Sequence, residues 1–169
     1  FLYKFKSSEK KGMLLYGPPG VGKTASVRAL ANELGYELIE LNASDERSAS
    51  RIREIVGNAS KFGSIFGRKR IILIDEVDGM AGLRDRGGVS ELSKIIPKSS
   101  VPIFLTANDP WDKKLYPLRH VCEMVEFKAL TNTQIINRLR EIAMKEGIQV
   151  DYSVLKAIAI RSKGDLRAA

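Results

Sequence analysis

Residues 17–24 read GPPGVGKT and match the pattern G-x-x-x-x-G-K-[ST]. Residues 13–16 before them are an apolar run of strand length, and residues 24–34 after them carry apolar side chains at the spacing of one helix face. Glycines at these positions allow backbone N–H groups to converge on an anion at the mouth of a helix. The stretch therefore predicts a strand, a phosphate-binding loop and a helix, which together begin an α/β fold.

Strands continue to alternate with helices as far as residue 127. Further runs of strand length occur at residues 37–41, 71–74, 101–106 and 124–127, and helical spacing occurs over residues 48–62 and 89–96. The run at 71–74, Ile-Ile-Leu-Ile, has no polar break, which is typical of a strand covered on both faces. The sequence therefore predicts an α/β domain with a five-stranded, mostly parallel sheet and helices on both sides.

Toward the C-terminus the sequence shows only helices. Thr131 and Gln134 form a capping-box pattern at the start of one helix, and Asp151 is placed to cap the next. The apolar positions that form one face of the first helix are Ile135, Ile136, Leu139, Ile142 and Ala143, and those expected to be buried in the second are Val154, Leu155 and Ile158. We therefore predict two domains, an α/β nucleotide-binding core over residues 1–128 and a small all-helical domain over residues 129–169, cut at its C-terminal end.

Composition limits the functions that the chain can have. Lys and Arg number 28 against 20 Asp and Glu, and the net charge of +8 points to nucleic acid, a nucleotide or an anionic membrane as the partner. The single cysteine, Cys122, excludes a disulfide framework and a multi-cysteine zinc site, and we expect it to be a small buried side chain. No apolar run approaches the ~20 residues of a bilayer-spanning helix, and no signal-peptide pattern begins the chain. We expect a soluble intracellular protein with no membrane partner and, since the chain begins with Phe1, a piece of a longer polypeptide.

Chemistry is predicted for the phosphate-binding loop and for the acidic turn after the third strand. Lys23 supplies a point charge for the β- and γ-phosphates, and the Thr24 hydroxyl is a hard oxygen ligand for Mg²⁺. Asp75 is placed to hold the same metal, and Glu76 to act as the general base that deprotonates an attacking water. An ordinary acidic turn is the alternative for this pair, and Asp78 has no assigned role. The predicted ATP-binding residues of the loop are Gly17, Pro18, Pro19, Gly20, Val21, Gly22, Lys23 and Thr24.

Two further polar residues are candidates for contact with the terminal phosphate. Asn108 follows the fourth strand, at the sheet edge where ligands bind in open α/β folds, and its amide can hold the lytic water or a phosphate oxygen. The Asn-Asp-Pro sequence that begins there is also a turn signal, which is the alternative. Arg167 reaches a phosphate if the helical domain folds over the nucleotide, and is otherwise a surface arginine. Lys23, Glu76 and Asn108 are therefore the predicted catalytic residues.

The motifs, taken in order, resemble those of a known family. They are GPPGVGKT at 17–24, LNASDERS at 41–48, LIDEVDGMAG at 73–82, LTAND at 105–109 and GDLRAA at 164–169. The set is similar to the AAA+ ATPases and, within them, to clamp loaders of the replication factor C type, and the segment 75–92 resembles that of archaeal large subunits. The resemblance implies a five-stranded AAA+ P-loop core followed by a helical lid. It also names the sites as Walker A for 17–24, Walker B for Asp75 and Glu76, sensor 1 for Asn108 and sensor 2 for Arg167.

The resemblance further implies an activity and partners. It implies an ATPase that uses ATP and Mg²⁺ to load a PCNA-like sliding clamp onto primed DNA, with replication factor C small subunits, the clamp and primer–template DNA as partners. Small subunits carry a Ser-Arg-Cys motif whose arginine enters the neighbour's ATP site, and Val121 stands here in place of that arginine. We therefore expect this chain to need a neighbour's arginine finger and to donate none, unless Arg119 is a displaced finger. We expect the protein to be cytoplasmic and nucleoid-associated in a prokaryote, or nuclear in a eukaryote.

A basic stretch and an apolar stretch are the candidate partner surfaces. The predicted DNA-binding residues, which are otherwise a solvated face, are Arg51, Arg53, Arg68, Arg84 and Arg86. Ile65 and Phe66 lie in a glycine-broken segment and are predicted to enter a pocket on the clamp, with core packing as the alternative. Two other functions stay open. One is a nucleotide-gated scaffold whose hydrolysis is dispensable, and the other is a different AAA+ DNA-processing ATPase, such as an initiator or a recombination helicase.

Overall fold

The computed structural model of this chain describes residues 1–5, 7–43, 54, 56–58, 69–81 and 87–169. The chain divides into two compact units. The core unit comprises Phe1–Tyr16 and Lys23–Glu126, and the C-terminal unit comprises Gly17–Gly22 and Phe127–Ala169. The predicted domain boundary at residue 128 stays a prediction.

Parallel strands and surrounding helices build the core unit. The strands are β1 Gly12–Tyr16, β2 Glu37–Asn42, β3 Arg70–Asp75, β4 Ile103–Ala107 and β5 Cys122–Glu126. The helices with described bounds are α1 Lys23–Glu33, α2 Gly88–Ile95 and α3 Tyr116–Val121, and 3₁₀ turns span Leu2–Lys4, Val77–Ala81, Ile96–Lys98 and Lys113–Leu115. All pairings are parallel and the order is β2-β3-β4-β1-β5. The predicted α/β class and five-stranded parallel sheet are confirmed.

Two strand starts differ from the prediction by two residues, and one predicted helix lies only partly within the described residues. The fourth strand begins at Ile103, two residues later than expected, and the fifth begins at Cys122, two residues earlier. The helix predicted over 48–62 lies mostly outside the described residues, although residues 54 and 56–58 are helical.

The centre of the sheet is apolar on both faces. The four residues Ile71, Ile72, Leu73 and Ile74 of β3 are all at 0% exposure, as the unbroken apolar run predicts. Every residue of β4 is also buried, including Thr106 at 1% exposure. Burial of this apolar surface is the main stabilising contribution to the core unit.

Strand register brings the candidate site residues to one edge of the sheet. Asn42 pairs with Asp75 at the end of β2 and β3, and Tyr16 pairs with Ala107 at the end of β1 and β4. Because the strands are parallel, these carboxyl ends lie on the same side, where ligands bind in open α/β sheets. The residue after β4 is Asn108, so the predicted metal and phosphate residues share that edge.

Two helices pack together in the C-terminal unit, α4 Asn132–Lys145 and α5 Tyr152–Ser162. The capping box of α4 is confirmed, because the Thr131 hydroxyl accepts from the Gln134 N–H and the Gln134 side chain accepts from the Thr131 N–H. Asp151 occupies the N-cap position of α5, but its side chain makes no cap hydrogen bond, so that part of the prediction is wrong.

The apolar stripe between these helices is narrower than predicted. Its buried members are Ile135, Ile136, Leu155 and Ala159. Ile142, on the predicted apolar face, is 42% exposed, and Val154 is 48% exposed, so the expectation that Val154 is buried is wrong. Of the described helices, none is both long and apolar enough to cross a membrane.

Candidate nucleotide-binding site

A hydroxyl and a carboxylate meet at the edge of the core sheet. Thr24, in the first turn of α1, donates its Oγ1 hydrogen to Oδ1 of Asp75, the last residue of β3, at 2.8 Å. The two residues are 51 positions apart in the sequence, and the fold brings together two oxygen ligands of the kind that Mg²⁺ prefers. The donor set therefore fits the metal that the sequence predicts.

A buried ammonium group lies beside the end of β4. Lys23 is only 8% exposed, and its Nζ donates to the Asn108 side-chain oxygen at 3.1 Å. The Asn108 N–H in turn donates to Asp78 Oδ2 at 3.0 Å. Asp78 thus braces the backbone of Asn108, which is a contact that the sequence left unassigned. Lys23 in α1, Asn108 directly after β4 and Asp78 in the turn after β3 therefore form one hydrogen-bonded group.

Thr106 is a site residue that sequence reasoning missed. Its hydroxyl donates to Asp75 Oδ1 and accepts from the Glu76 N–H, with an N···O distance of 2.9 Å. The available signal was a hydroxyl residue within the apolar strand β4, two positions before Asn108. One buried side chain thus contacts both members of the predicted acidic pair.

Glu76 leaves β3 in an unusual backbone conformation. Its φ is 56°, in the left-handed region that residues with a side chain seldom adopt. Its carbonyl accepts from the Gly79 N–H at 2.9 Å, which closes the turn at Val77–Ala81. The side chain is exposed at the ligand-binding edge, where a carboxylate can take a proton from water.

The phosphate-loop residues 17–22 pack within the C-terminal unit. Gly17 and Gly20 have φ of 140° and 68°, and a Cβ on them would lie 1.9 Å from the Phe127 carbonyl oxygen and 1.6 Å from Asp165 Oδ1. The Leu166 N–H donates to the Gly20 carbonyl at 3.1 Å. Only glycine suits either position, because any side chain would have both an unfavourable φ and a steric clash.

Arg167 follows directly on the segment that touches this loop. Its backbone N–H donates to Asp165 Oδ1 at 2.8 Å, and the Ala168 N–H donates to the same oxygen at 3.1 Å. Arg167 is exposed and lies one residue from Leu166, the partner of Gly20. The predicted phosphate contact of its guanidinium stays a prediction.

Arg119 is held by its own neighbourhood. Its Nη1 donates to the Pro110 carbonyl at 2.6 Å, and its guanidinium lies 5.2 Å from the ring centroid of Trp111 and 5.3 Å from that of Tyr116. Val121 is partly buried against the core. The contacts of Arg119 brace the segment after β4.

Among the described residues of the core unit, Arg28 and Cys122 have shifted pKa values. The hydrogen bonds from Arg28 to Glu40, and then the charge of Glu40, raise the pKa of Arg28 and tie α1 to β2. Burial raises the pKa of the Cys122 thiol to about 12, against a smaller opposite effect of Lys10. Cys122 is at 0% exposure, in agreement with the interpretation as a small buried side chain.

The described part of the chain bears differently on the predicted metal site and on the predicted partner surfaces. Within the described ranges no group of three or more His, Cys, Asp or Glu side chains could hold a metal ion, so the predicted magnesium site would rely on the Thr24 hydroxyl, the Asp75 carboxylate and the nucleotide itself. The predicted DNA and clamp residues that lie outside the described residues are Arg51, Arg53, Ile65, Phe66, Arg68, Arg84 and Arg86.

The fold and this edge of the sheet define a P-loop nucleotide-binding protein of the AAA class. Residues 13–129 match the family described as "ATPase family associated with various cellular activities (AAA)", and the chain belongs to that family. Residues 137–169 match the "RCF1/5-like, AAA+ ATPase lid domain". The family predicted from the order of the motifs is therefore confirmed.

Comparison with individual proteins gives a more specific similarity. The chain is 55% identical over 170 residues to "Replication factor C large subunit" of Nanoarchaeum equitans, covering 100% of this chain and 40% of that protein. It is 52% identical over 159 residues to the protein of the same name from Methanococcus aeolicus, covering 94% of this chain and 34% of that one. The protein of the same name from Thermofilum pendens is 50% identical over 161 residues, or 95% of this chain and 39% of that one. The chain thus spans between 34% and 40% of the length of these relatives.

Proposed function

We propose that this chain is the ATP-binding and ATP-hydrolysing module of a clamp-loader large subunit, which loads a PCNA-like sliding clamp onto primed DNA. The observation that carries the proposal is the 2.8 Å hydrogen bond between Thr24 and Asp75. It joins the last residue of the phosphate loop to the acidic residue that ends a buried strand, which is the pairing that a Mg²⁺-nucleotide site requires. The name printed for the relatives supports the clamp-loading part.

The chain's own residues divide the work of phosphoryl transfer. Lys23 binds the β- and γ-phosphates, and Asn108, which the Lys23 ammonium already contacts, holds the γ-phosphate or the attacking water. Glu76 accepts the proton of that water as it attacks. Thr24 and Asp75 would hold Mg²⁺, which when bound would neutralise phosphate charge.

The site is completed by an arginine from a neighbouring subunit. Val121 has no charge to donate and packs against the core, and Arg119 is held by the Pro110 carbonyl and two aromatic rings. The chain therefore receives a finger in its own site and offers none to a neighbour. In the proposed lid domain, residues 129–169, Arg167 contacts phosphate.

The partners are replication factor C small subunits, the sliding clamp and primer–template DNA. The arginines proposed to contact the phosphate backbone of DNA without reading bases are Arg51, Arg53, Arg68, Arg84 and Arg86. Ile65 and Phe66 enter an apolar pocket on the clamp. A cytoplasmic, nucleoid-associated location goes with these partners in a prokaryote.

Nucleotide binding is tested on the full chain by titration calorimetry with ATP, once with Mg²⁺ and once with EDTA. Asp75→Asn keeps an oxygen for the threonine hydroxyls and removes the charge, so we expect it to weaken binding with Mg²⁺ about ten-fold and to leave binding in EDTA within about two-fold. Glu123→Gln, which removes an exposed carboxylate on β5, is the matched control and should bind like wild type. A wild-type chain with no affinity for ATP in either buffer would overturn the proposal.

Clamp loading is tested by mixing the full-length protein that contains this chain with candidate small subunits. We expect very slow ATP turnover by the protein alone, because finger arginines contribute about 10³-fold or more in phosphoryl transfer, and acceleration by clamp plus primed DNA in the assembly. Glu76→Gln should bind ATP and stop turnover at this site. Normal loading by Glu76→Gln would favour the scaffold alternative, and fast turnover by a proven monomer would contradict the need for a neighbour.

A further inference from the structure

Thr106 presents a hydroxyl where packing alone calls for none. It lies in the central strand β4 at 1% exposure, between buried apolar neighbours. Valine has the same shape and an equal preference for strands, and burying a hydroxyl costs free energy unless its hydrogen bonds are satisfied. The bonds that satisfy this hydroxyl are therefore where its role is to be found.

Both bonds lead to the acidic pair. The Thr106 hydroxyl donates its one hydrogen to Asp75 Oδ1, and its oxygen accepts from the Glu76 N–H at 2.9 Å. The first bond fixes an oxygen of the predicted metal ligand. The second fixes the backbone of the residue that turns out of β3 at φ 56°. A single atom thus sets the side chain of one acid and the direction of the other.

Thr106 differs in this from the other threonine on the same carboxylate. Thr24 also donates to Asp75 Oδ1, at 2.8 Å, but its oxygen is the predicted ligand of Mg²⁺. Thr106 is not predicted to bind the metal, so metal binding would not compete with its two hydrogen bonds. The Thr106 hydroxyl therefore holds Asp75 from the neighbouring strand β4.

We propose that Thr106 is a positioning residue of the hydrolysis site, which orients Asp75 for the metal and holds Glu76 in the conformation that faces water. The inference rests on the proposed function for its consequence in ATP turnover. Its structural part, that the hydroxyl maintains the turn at Glu76, stands on the two hydrogen bonds alone.

The test compares Thr106→Val, which keeps the shape and removes the hydroxyl, with Thr106→Ser, which keeps the hydroxyl and removes the methyl group. Amide hydrogen exchange of Glu76 is measured by NMR in the full chain without nucleotide. We expect exchange about ten-fold faster in Thr106→Val and near wild type in Thr106→Ser, because only the first variant lacks the acceptor. Thermal unfolding shows that both variants fold.

The second readout is binding of ATP as a function of Mg²⁺ concentration. Thr106→Val should need about ten-fold more Mg²⁺ for half-maximal binding, with its ATP affinity in EDTA unchanged, and Thr106→Ser should match wild type. In the assembled complex Thr106→Val should lower kcat far more than it raises KM. A merely structural strand residue would give the opposite order, with Ser impaired and Val normal.

The outcomes separate this inference from the proposed function. Equal behaviour of Thr106→Val and wild type, or equal impairment of both variants, would overturn the positioning role. A wild-type chain that binds no ATP would overturn the proposed function and the catalytic part of the inference with it. In that case the exchange of the Glu76 amide still decides whether Thr106 holds the turn.

Discussion

Glu76 carries backbone strain at the point where the proposed chemistry occurs. An L-residue in the left-handed region is disfavoured by about 1 kcal/mol, whereas glycine has no such penalty. We therefore predict that Glu76→Gly is more stable to urea than Glu76→Ala by about 1 kcal/mol in free energy of unfolding. The same two substitutions at Glu123, an exposed position within β5, should rank the other way, because glycine weakens a strand interior. The same ranking at both positions would contradict the strain at Glu76.

Cys122 gives the folded chain a pH dependence that does not involve the site. Its pKa is about 12 in the fold and 9.0 in a model thiol, because burial disfavours the thiolate. The unfolded chain therefore loses the thiol proton first, so the contribution of this group is complete below about pH 9 and disappears as the pH rises through about 12. Near pH 10 the loss is about 1 kcal/mol.

The measurement for Cys122 is urea unfolding at a series of pH values for wild type and Cys122→Ala. Wild type should lose stability above pH 9 more steeply than the variant, which has no thiol to titrate, and both carry the same lysines as an internal control. Parallel curves would show that the thiol titrates in the fold as it does in the unfolded chain.

The site residues differ in how much of the sequence is needed to predict them. Lys23 and Thr24 were predictable because the loop pattern specifies them within eight residues of sequence. Asp75 followed from its place after an unbroken apolar strand. Thr106 was missed because its role depends on β3 and β4 lying side by side, with Ile74 beside Leu105 and the next residue of each strand in contact. No pattern within one segment contains that register.

Strand packing in the core depends on the absence of a side chain at one position of β1. A Cβ on Gly12 would lie 2.7 Å from Cys122 Sγ on the paired strand β5 and 2.7 Å from Ile96 Cγ2. We predict that Gly12→Ala lowers the free energy of unfolding by about 1–3 kcal/mol, as overpacking of a dense core does.

A double-mutant cycle tests the cause of that loss. Cys122→Ala removes the sulfur, so Gly12→Ala should cost about 1 kcal/mol less in that background, with the Ile96 contact preventing full recovery. Additive effects of the two substitutions would mean that the sulfur is not the obstacle. Unfolding free energies of the four chains, measured in urea at neutral pH, supply the comparison.

For the helices, the sequence predicts where an element starts but not how much of its apolar face is buried. The start of α4 was predictable because the capping box is a local pattern of two residues. The width of the buried stripe was not, because it depends on how much of α4 the partner α5 covers. Ile142 and Val154 have the correct period for the apolar face and are nevertheless exposed. Periodicity gives the direction of a face and leaves its buried width to packing.

At the scale of the whole molecule, net charge and local contact make different predictions for DNA binding. The chain has a net charge of +8, which attracts any polyanion, whereas the proposal assigns the contact to particular arginines. Replacing Arg51 and Arg53 by alanine removes two charges from the proposed surface. Replacing Lys113 and Lys114, which are exposed in the turn before α3, removes two charges elsewhere.

The salt dependence of binding to a primed DNA duplex distinguishes attraction by net charge from contact by particular arginines. Each lost phosphate contact lowers the slope of log affinity against log salt concentration by about 0.9, because fewer counterions are released. Substitution of the Arg51 and Arg53 pair should therefore lower the slope by about 2 and weaken binding to all sequences equally, and substitution of the Lys113 and Lys114 pair should leave the slope unchanged. Fluorescence anisotropy over a range of salt concentrations measures both. Equal reductions by the two pairs would mean that net charge alone attracts the DNA, and the assignment of Arg51 and Arg53 as contacts would be wrong.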